Sequence, residues 1–578
     1  MPVYNREIAQ ILNKMADLLE IKDDNPFRIR AYRNASNTIS QLSENVRNMV
    51  EEDRDLTELP GIGNDLSQKI EEIVNTGDLK ELRELEEEIP PGLSEMMNLS
   101  QLGSKRVKKI YEELGIETVK ELERAAKNNK IQQLYGLGEK TEKAILEEIK
   151  RRREKDVDSR LLWPVAEEII YPLLEYLNQF KYINKIEVAG SYRRKKSTVG
   201  DLDILAVCEE GQEEEFMDYF VEYEDVSRIT ARGETKSSVI LDSEVQVDLR
   251  LIPEKSYGAA LHYFTGSKEH NIEIRKIAQK KGLKVNEYGI FKEDEWVGGA
   301  EEKDIFSRLE LPYIMPELRE NRGEIEAAKN GDLPDLIKVS DIKGDLQSHT
   351  QASDGKLSLK EMAEAAKKRG YEYLAITDHS QKVSMANGLD ESRLREQIEL
   401  IEEYNKNNED NFKLLKSSEV DILKDGSLDL PDSVLKELDL VVGAIHYNFK
   451  LSRKEQTERV LKAMENPYLN IIAHPSGRLI GRRKPYEIDL KEVIGEAKNK
   501  GCILEINASP SRLDLSSTFS KIAKEIGVKM AISTDAHSGN EFDNIRFGIA
   551  EARRGWVEAQ DVVNTRNLDE FMKLLKRD

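Results

Sequence analysis

The sequence predicts a multidomain protein with an all-helical N-terminal third, an α+β middle and a C-terminal α/β barrel of seven strands. Three observations carry this. Up to about residue 155 the pattern is helical and rich in Glu and Lys, and hydrophobic-x-Gly-hydrophobic-Gly turns recur before amphipathic helices. From Leu161 to about Pro253, strand-like runs alternate with helical stretches. From Asp341 onward βα units repeat, and five of the chain's seven histidines stand at the ends of short apolar runs.

Length and composition fit that plan. At roughly 150 residues per domain, 578 residues make about four domains. With 34% charged and 39% hydrophobic residues the chain reads as soluble and globular. No stretch approaches the ~20 apolar residues of a membrane span. The opening helix pattern MPVYNREIAQILNKMADLLE lacks a secretory apolar core. Cys208 and Cys502 are too few for a disulfide framework or a thiolate zinc site, so a reducing cytoplasm is expected. A net charge of -22 weighs against nucleic acid, but binding depends on local patches. Candidates are Lys105, Arg106, Lys108 and Lys109; Lys150 to Arg153; and Arg193 to Lys196. Solvated helix faces are the plainer reading of each.

The repeated units are LPGIGNDLSQKIEEI (Leu59 to Ile73) and LYGLGEKTEKAILEEI (Leu134 to Ile149), with a degenerate copy at Leu99 to Leu114. The middle region offers strands KIEVAGS, DLDILAV, SSVILDS and EVQVDLRLI, followed by a mixed stretch, 254–318. Polar residues with Gly and Pro from Asn321 to Ile337 read as a linker. The barrel strands are expected near Ile342 and at Tyr373–Thr377, Phe412–Lys416, Leu440–Ile445, Asn470–Ala473, Ile503–Ile506 and Lys529–Ser533.

Two clusters carry chemistry. In GSYRRKKSTVGDLDILAV, Asp201 and Asp203 are one residue apart on a strand and project from one face. Asp248, in VQVDLRLIP, can lie on the adjacent strand. Three such carboxylates can hold two divalent cations ~3.5–4 Å apart. Gly190 and Ser191 supply a turn whose backbone and hydroxyl reach phosphate oxygens. A lone DxD is weak; with GS upstream and a third Asp it signals a nucleotidyltransferase. The second cluster joins His349, His379, His446, His474 and His537 with Asp354, Glu419 and Asp535. Imidazoles and carboxylates converging from strand ends build transition-metal clusters and point to a metal-dependent hydrolase.

GSYRR-x5-GDLD resembles the signature of the family X (polymerase beta-like) DNA polymerases, and YGAALHYFTGSKEHNIEIRKIAQKKGLKVNEYGIF resembles their thumb. The resemblance implies a catalytic nucleotidyltransferase palm at 159–253 and a thumb at 254–318. It implies that Asp201, Asp203 and Asp248 hold two Mg²⁺ or Mn²⁺ ions. Gly190, Ser191, Arg194 and Arg160 would contact the triphosphate of a dNTP. Tyr263, Phe264 and Gly266 would line the sugar pocket, Asn271 and Arg275 would face base and template, and Arg250 would sit beside Asp248. The glycine-turn repeats resemble helix-hairpin-helix motifs, in a small N-terminal domain (1–85) and a fingers-like domain (86–158). There Gly61, Gly63, Gly136 and Gly138 would present backbone N–H groups to DNA phosphates. FRIRAYRNASNTI resembles the 5′-phosphate-binding segment of these polymerases, and Lys69 falls where their lyase nucleophile lies. Asn34 and Asp65 stand where vertebrate members have lysines, which argues against lyase chemistry and for weaker 5′-phosphate binding.

After a linker at 319–339, residues 340–578 resemble the PHP (polymerase and histidinol phosphatase) domain, a distorted (βα)7 barrel holding up to three Mn²⁺ or Zn²⁺ ions. The resemblance implies His349, Glu419 and Asp535 for the first metal; Glu419, His446 and His474 for the second; and Asp354, His379 and His537 for the third. The family's DLHxHT reads DLQSHT, so Gln347 takes a ligand histidine's place. An amide oxygen is a weaker ligand than imidazole. The first metal is therefore expected to be looser, more selective for Mn²⁺, or absent. The expectation is a monomeric gap-filling repair polymerase acting on gapped or nicked DNA with a 5′-phosphate. It would carry a 3′-5′ exonuclease, perhaps an AP endonuclease; a purely structural barrel is the alternative.

Overall fold

The computed structural model describes residues 5–575 apart from 23, 43–45, 52–53, 77–78, 89–92, 94–95, 97–98, 100–101, 135 and 159. It forms two compact units, Met1–Ser159 with Gly233–Thr235, and Arg160–Arg232 with Lys236–Asp578. Among the described residues, no helix is long and apolar enough to cross a membrane.

The first unit is helical throughout. Helix Asn5–Ile21 buries Ile8, Leu12, Met15 and Leu19, and Pro26–Gln41 buries Tyr32, Ala35 and Ile39 in the same core. These spacings make one apolar stripe per helix. The Asn25 side chain accepts from the Phe27 N–H and Pro26 opens the second helix, so both local signals agree on its start. Gly61 (φ 79°) and Gly136 (φ 85°) form the repeat turns in the left-handed region. Helices Asn64–Thr76 and Glu139–Asp158 follow them; the degenerate copy gives Ser104–Leu114. The side chains of Lys105 and of Lys150 to Arg153 lie outside the described residues.

The second unit begins with a five-stranded sheet in the order Ile183–Val188, Leu202–Cys208, Gln246–Leu251, Lys236–Leu241, Val226–Arg232. The last, an edge strand almost wholly exposed, has no apolar alternation and is not among the strands the sequence predicts. Leu202–Cys208 and Gln246–Leu251 run parallel with Asp203 opposite Asp248. Helices Tyr257–Thr265, Lys268–Lys280 and Glu302–Arg308 then flank a sheet of three short strands, Leu283–Asn286, Gly289–Lys292 and Glu295–Gly298.

The barrel strands are Gly344–Asp345, Tyr373–Ile376, Lys413–Asp421, Leu440–Ala444, Ile471–Ile472, Ile503–Asn507 and Met530–Ser533, all parallel and in sequence order. A bridge between Ser348 and Ala536 brings the first and last together, nearly closing the ring. The barrel docks on the palm: Leu513, Phe547 and Ala550 join the palm's apolar core, and Trp163 meets Phe547 edge-on at 5.4 Å.

The expected linker at 319–339 is instead a packed strut. Arg319 is completely buried, with Glu302 and the Ile314 carbonyl as partners. Glu324, equally buried, faces the His270 Nδ1 at 2.7 Å. Ile337 is buried too, and its N–H donates to the Val557 carbonyl at 3.1 Å. Polar side chains that look solvated in sequence here find buried partners far along the chain.

Candidate functional sites

In the palm, the parallel register puts Asp203 and Asp248 side by side, with Asp201 exposed just ahead of the strand. Gly190 (φ 63°) opens the four-residue helix Gly190–Arg193 against them; a Cβ there would lie 2.9 Å from the Asp203 carboxylate. Burial raises Asp203 to about 6, and Asp201 and Asp248 add to the rise against Arg250 and Lys236. Burial also pushes on Asp248. Gln246 at 2.9 Å and Lys236 at 3.1 Å nevertheless hold it below the usual carboxylate range. Negative charge is thus crowded and incompletely compensated. An all-oxygen set in that state suits hard divalent cations.

Around the triad, Arg250 stacks over Phe264 at 4.6 Å, and Phe264 meets Tyr263 edge-on at 5.1 Å. Asn271, buried, donates to the Tyr263 carbonyl at 2.7 Å, while Arg275 lies half-buried one turn further along. Arg160 donates to the Thr198 hydroxyl at 3.0 Å and carbonyl at 2.7 Å. The run Arg193 to Lys196 is no solvated face. Arg193 grips Glu302 with two bonds of 2.6 and 2.8 Å, and Lys195 pairs with the buried Glu317 at 3.0 Å. Arg194 donates to Glu320 at 3.0 Å and to the Thr265 carbonyl, next to Gly266. Arg554, from the barrel, donates to Glu320 at 3.1 Å and to the Arg194 carbonyl at 2.8 Å. Lys196 has no carboxylate partner among the described residues. Burial, with Arg160, Arg194 and Arg554 nearby, pulls it below lysine's ordinary range.

At the barrel's strand ends the donors converge on buried Glu419. His474 Nε2 lies 3.1 Å from it, His379 Nδ1 3.0 Å, His446 Nε2 3.5 Å and His349 Nε2 3.6 Å. Asp535 is 3.1 Å from His349, and Asp354 lies 3.4 Å from His537 and 3.6 Å from His379. Three sets of ligand atoms lie within 4.8 Å of one another: His349, Asp354, His379 and His537; His379, Glu419 and His446; His349, Glu419 and Asp535. His379 thus touches two sets. Several donors that are close and buried still lack hydrogen-bond geometry, among them Glu419 Oε2 and the Nδ1 atoms of His349, His379 and His474. Beside the bonds of His349 to Asp535 and of His474 to Glu419, these are buried donor atoms of the types that bind transition metals. Despite burial, Glu419 and Asp354 hold His379 well above the usual histidine range, and Asp354 likewise raises His537. Around these two imidazoles the carboxylates favour positive charge.

Gln347 is completely buried two residues before His349, and neither its amide oxygen nor its amide nitrogen has a hydrogen-bond partner. Supporting residues escaped the sequence reading. Asp421 accepts from His446 Nδ1 at 3.0 Å and fixes that imidazole. Asp378 takes the Thr350 N–H at 2.8 Å and hydroxyl at 2.6 Å, pinning the loop that carries Asp354. Asn507 donates to Asp535 at 3.1 Å, and the Arg512 Nε lies 3.6 Å from the same carboxylate. Asp421 carries a signal: it stands two residues after Glu419 in SSEVD, on the same strand face.

In the helical unit, Cβ atoms added at Gly63, Gly136 or Gly138 would meet nothing within 4 Å, leaving both repeat turns open to a backbone-sized ligand. Lys69 donates to the Tyr32 hydroxyl at 2.8 Å and Asp65 at 2.9 Å, and pairs with Glu81 at 3.0 Å.

The chain resembles five described families in order. They are a helix-hairpin-helix domain (3–79), a SAM-like helix-hairpin-helix tandem (93–151), the polymerase beta palm (167–251) and thumb (260–320), and a PHP domain (345–509). It is 39% identical to the DNA polymerase/3′-5′ exonuclease PolX of Bacillus subtilis (strain 168) over 100% of both chains. A probable phosphatase of Thermoanaerobacter sp. (strain X514) is 31% identical over 95% of its own length and 40% of this chain. DNA polymerase lambda of Rattus norvegicus is 24% identical over 55% of this chain and 56% of its own. With full-length similarity at that level, the chain belongs to the PolX family, the polymerase beta-like enzymes that carry a C-terminal PHP domain.

Proposed function

We propose that this chain is a DNA-directed DNA polymerase that fills short gaps, of the kind left by base excision repair, joined to a metal-dependent 3′-5′ exonuclease. Its substrates are dNTPs and gapped or nicked DNA with a 5′-phosphate, and it works as a monomer in the cytoplasm. The observation that carries the first activity is the register of Asp203 with Asp248 beneath the Gly190 turn. Convergence of five imidazoles with Asp354, Glu419 and Asp535 at the strand ends carries the second.

In the palm, Gly190 and Ser191 seat the triphosphate, while Arg160, Arg194 and Lys196 offset its charge. Asp201, Asp203 and Asp248 would hold two divalent cations beside the primer 3′-hydroxyl and the α-phosphate. The 3′-oxygen bonds to the α-phosphorus as the bond to the pyrophosphate oxygen breaks, and the hydroxyl proton passes to solvent. Tyr263, Phe264, Gly266, Asn271 and Arg275 orient sugar and base. In the barrel, the three donor groups, with Gln347 alongside, would hold up to three Mn²⁺ or Zn²⁺ ions. Bound cations supply charge that acidifies a hydroxyl or water and neutralises the phosphate in flight. Asp421 and Asp378 keep His446 and Asp354 aimed. A barrel retained only as scaffold gains nothing from burying unpaired donors, each of which costs about 1–3 kcal/mol.

The turns at Gly61–Gly63 and Gly136–Gly138 grip DNA phosphates through backbone N–H groups. Lys69 does not act as a lyase nucleophile. Burial alone lowers its proton affinity, but Tyr32, Asp65 and Glu81 hold it far above lysine's ordinary range, and a Schiff base needs the neutral amine. Borohydride trapping on a 5′-deoxyribose-phosphate end should leave Lys69 unmodified at pH 7 to 8; a trapped adduct there overturns this.

The two-site reading is tested by crossed variants on gapped DNA. Asp203→Ala should cost incorporation about a thousandfold or more, some 4 kcal/mol of barrier, and leave 3′ hydrolysis intact. Glu419→Gln should do the reverse. Loss of both activities in either variant sinks the proposal.

A further inference from the structure

We infer that the groove between helix Leu359–Lys368 and the turn after His537 is the track along which the phosphate backbone of a nucleic-acid strand reaches the barrel's donor cluster. This rests on the exonuclease reading above and names how that site takes hold of its polymer. The groove has a volume of about 640 Å³ and is lined by Lys356, Lys360, Lys368, Arg369, Ser538 and Gly539 together with Glu361 and Glu364.

One end of the groove is built from the donor loops, and the other runs along the helix to Lys368 and Arg369. Lys356 follows Asp354 by two residues, and its N–H donates to the His537 carbonyl at 2.7 Å. Ser538 directly follows His537. The groove's acids are occupied: Glu361 takes the Ser358 N–H at 2.9 Å and hydroxyl at 2.7 Å, and Glu364 faces Lys367 at 3.4 Å. Arg369 is fixed as a wall by two bonds to Asp543, of 2.8 and 2.9 Å. Lys356, Lys360 and Lys368 are exposed, and among the described residues none has a carboxylate partner.

In a chain of net charge -22, where most basic side chains around the palm are paired internally, three free ammonium groups in one groove are informative. Lys360 and Lys368 lie two turns apart on one helix, roughly 12 Å along its axis. That spacing fits a polymer with repeating charges better than one compact anion. The groove offers point charges and no aromatic platform, so it would track phosphates without reading bases.

The test uses the full chain carrying Lys360→Ala/Lys368→Ala. Its KM for a single-stranded oligonucleotide should rise about tenfold while kcat/KM on the small diester bis(p-nitrophenyl) phosphate stays within about twofold. The slope of log affinity against log salt should fall by about 1.4, near 0.7 for each lost phosphate contact. Unchanged KM and slope overturn the track. So does an equal loss on the small diester, which would mean that the lysines serve the donor cluster itself. Absence of hydrolysis on either substrate counts against the exonuclease reading instead. The track is then read without catalysis, by lysine acylation and mass spectrometry. An oligonucleotide at low salt should protect Lys356, Lys360 and Lys368, and equal labelling with and without it overturns the inference.

Discussion

In the palm three carboxylates gather at the ends of two neighbouring strands with Asp201 exposed, whereas in the barrel imidazoles and carboxylates from many strand ends meet around the buried Glu419. The palm set is all oxygen, and on the proposed reading a nucleotide arrives there with its own cation. Such sites bind Mg²⁺ through few protein ligands and share it with phosphates. The barrel set is mixed nitrogen and oxygen, mutually close and braced from behind by Asp421 and Asn507. Sites of that kind keep their metals between turnovers. On the proposed reading, one chain carries a site that borrows cations and a site that keeps them.

Chelation breaks the comparison most directly. Dialysis against a strong chelator and return to Mg²⁺ alone should restore incorporation fully and leave 3′ hydrolysis down by about a hundredfold or more. Mn²⁺ or Zn²⁺ should be needed to recover it, with metal analysis of the protein following the same course. Recovery of both activities in Mg²⁺ would erase the distinction.

Gln347 sharpens it. Its buried amide makes no hydrogen bond, and on the proposed reading it is a weak ligand standing in a histidine's place. Gln347→His should tighten the most loosely held metal about tenfold, seen in a metal titration by competition with a chromophoric chelator. An unchanged titration means that the amide is not aimed at the metals.

Much of this was legible because strand-end chemistry is local. A short apolar run closed by His or Asp reports both the strand and where it stops, and even the two-residue strands Gly344–Asp345 and Ile471–Ile472 fall at or near expected places. The Asp201, Asp203, Asp248 set was readable from period-two geometry together with the GS turn. What escaped is polar and non-local. Arg319 in the supposed linker is buried against Glu302, and Glu317 ties Lys195 of the palm to Arg553 of the barrel. Nothing in a hydrophilic run announces that its partner lies more than two hundred residues away. Edge strand Val226–Arg232 escaped for the opposite reason: exposed on both faces, it has no pattern to read.

The smallest expected effect lies where the two regions touch. A guanidinium has five donors; Arg194 uses some on Glu320 and on the Thr265 carbonyl, and on the proposed reading the rest meet a phosphate. Glu320 therefore orients Arg194 rather than hiding it, and Arg554 of the barrel holds the pair from behind. Burial raises the Glu320 carboxyl, but Arg554 and Arg194 outweigh it and bring it down to about 2. A depressed carboxyl stabilises the fold above the ordinary value near 4.5 and loses that contribution as pH falls toward 2, so the contact is complete at neutral pH. Arg554→Ala should raise the dNTP KM about threefold with little change in kcat, because only the hold on the triphosphate is loosened. Arg554→Lys, which keeps the charge, should recover part of the loss, whereas a merely destabilised barrel would lower both activities together. An Arg554→Ala enzyme with unaltered KM would show that the palm works independently of the barrel packed against it.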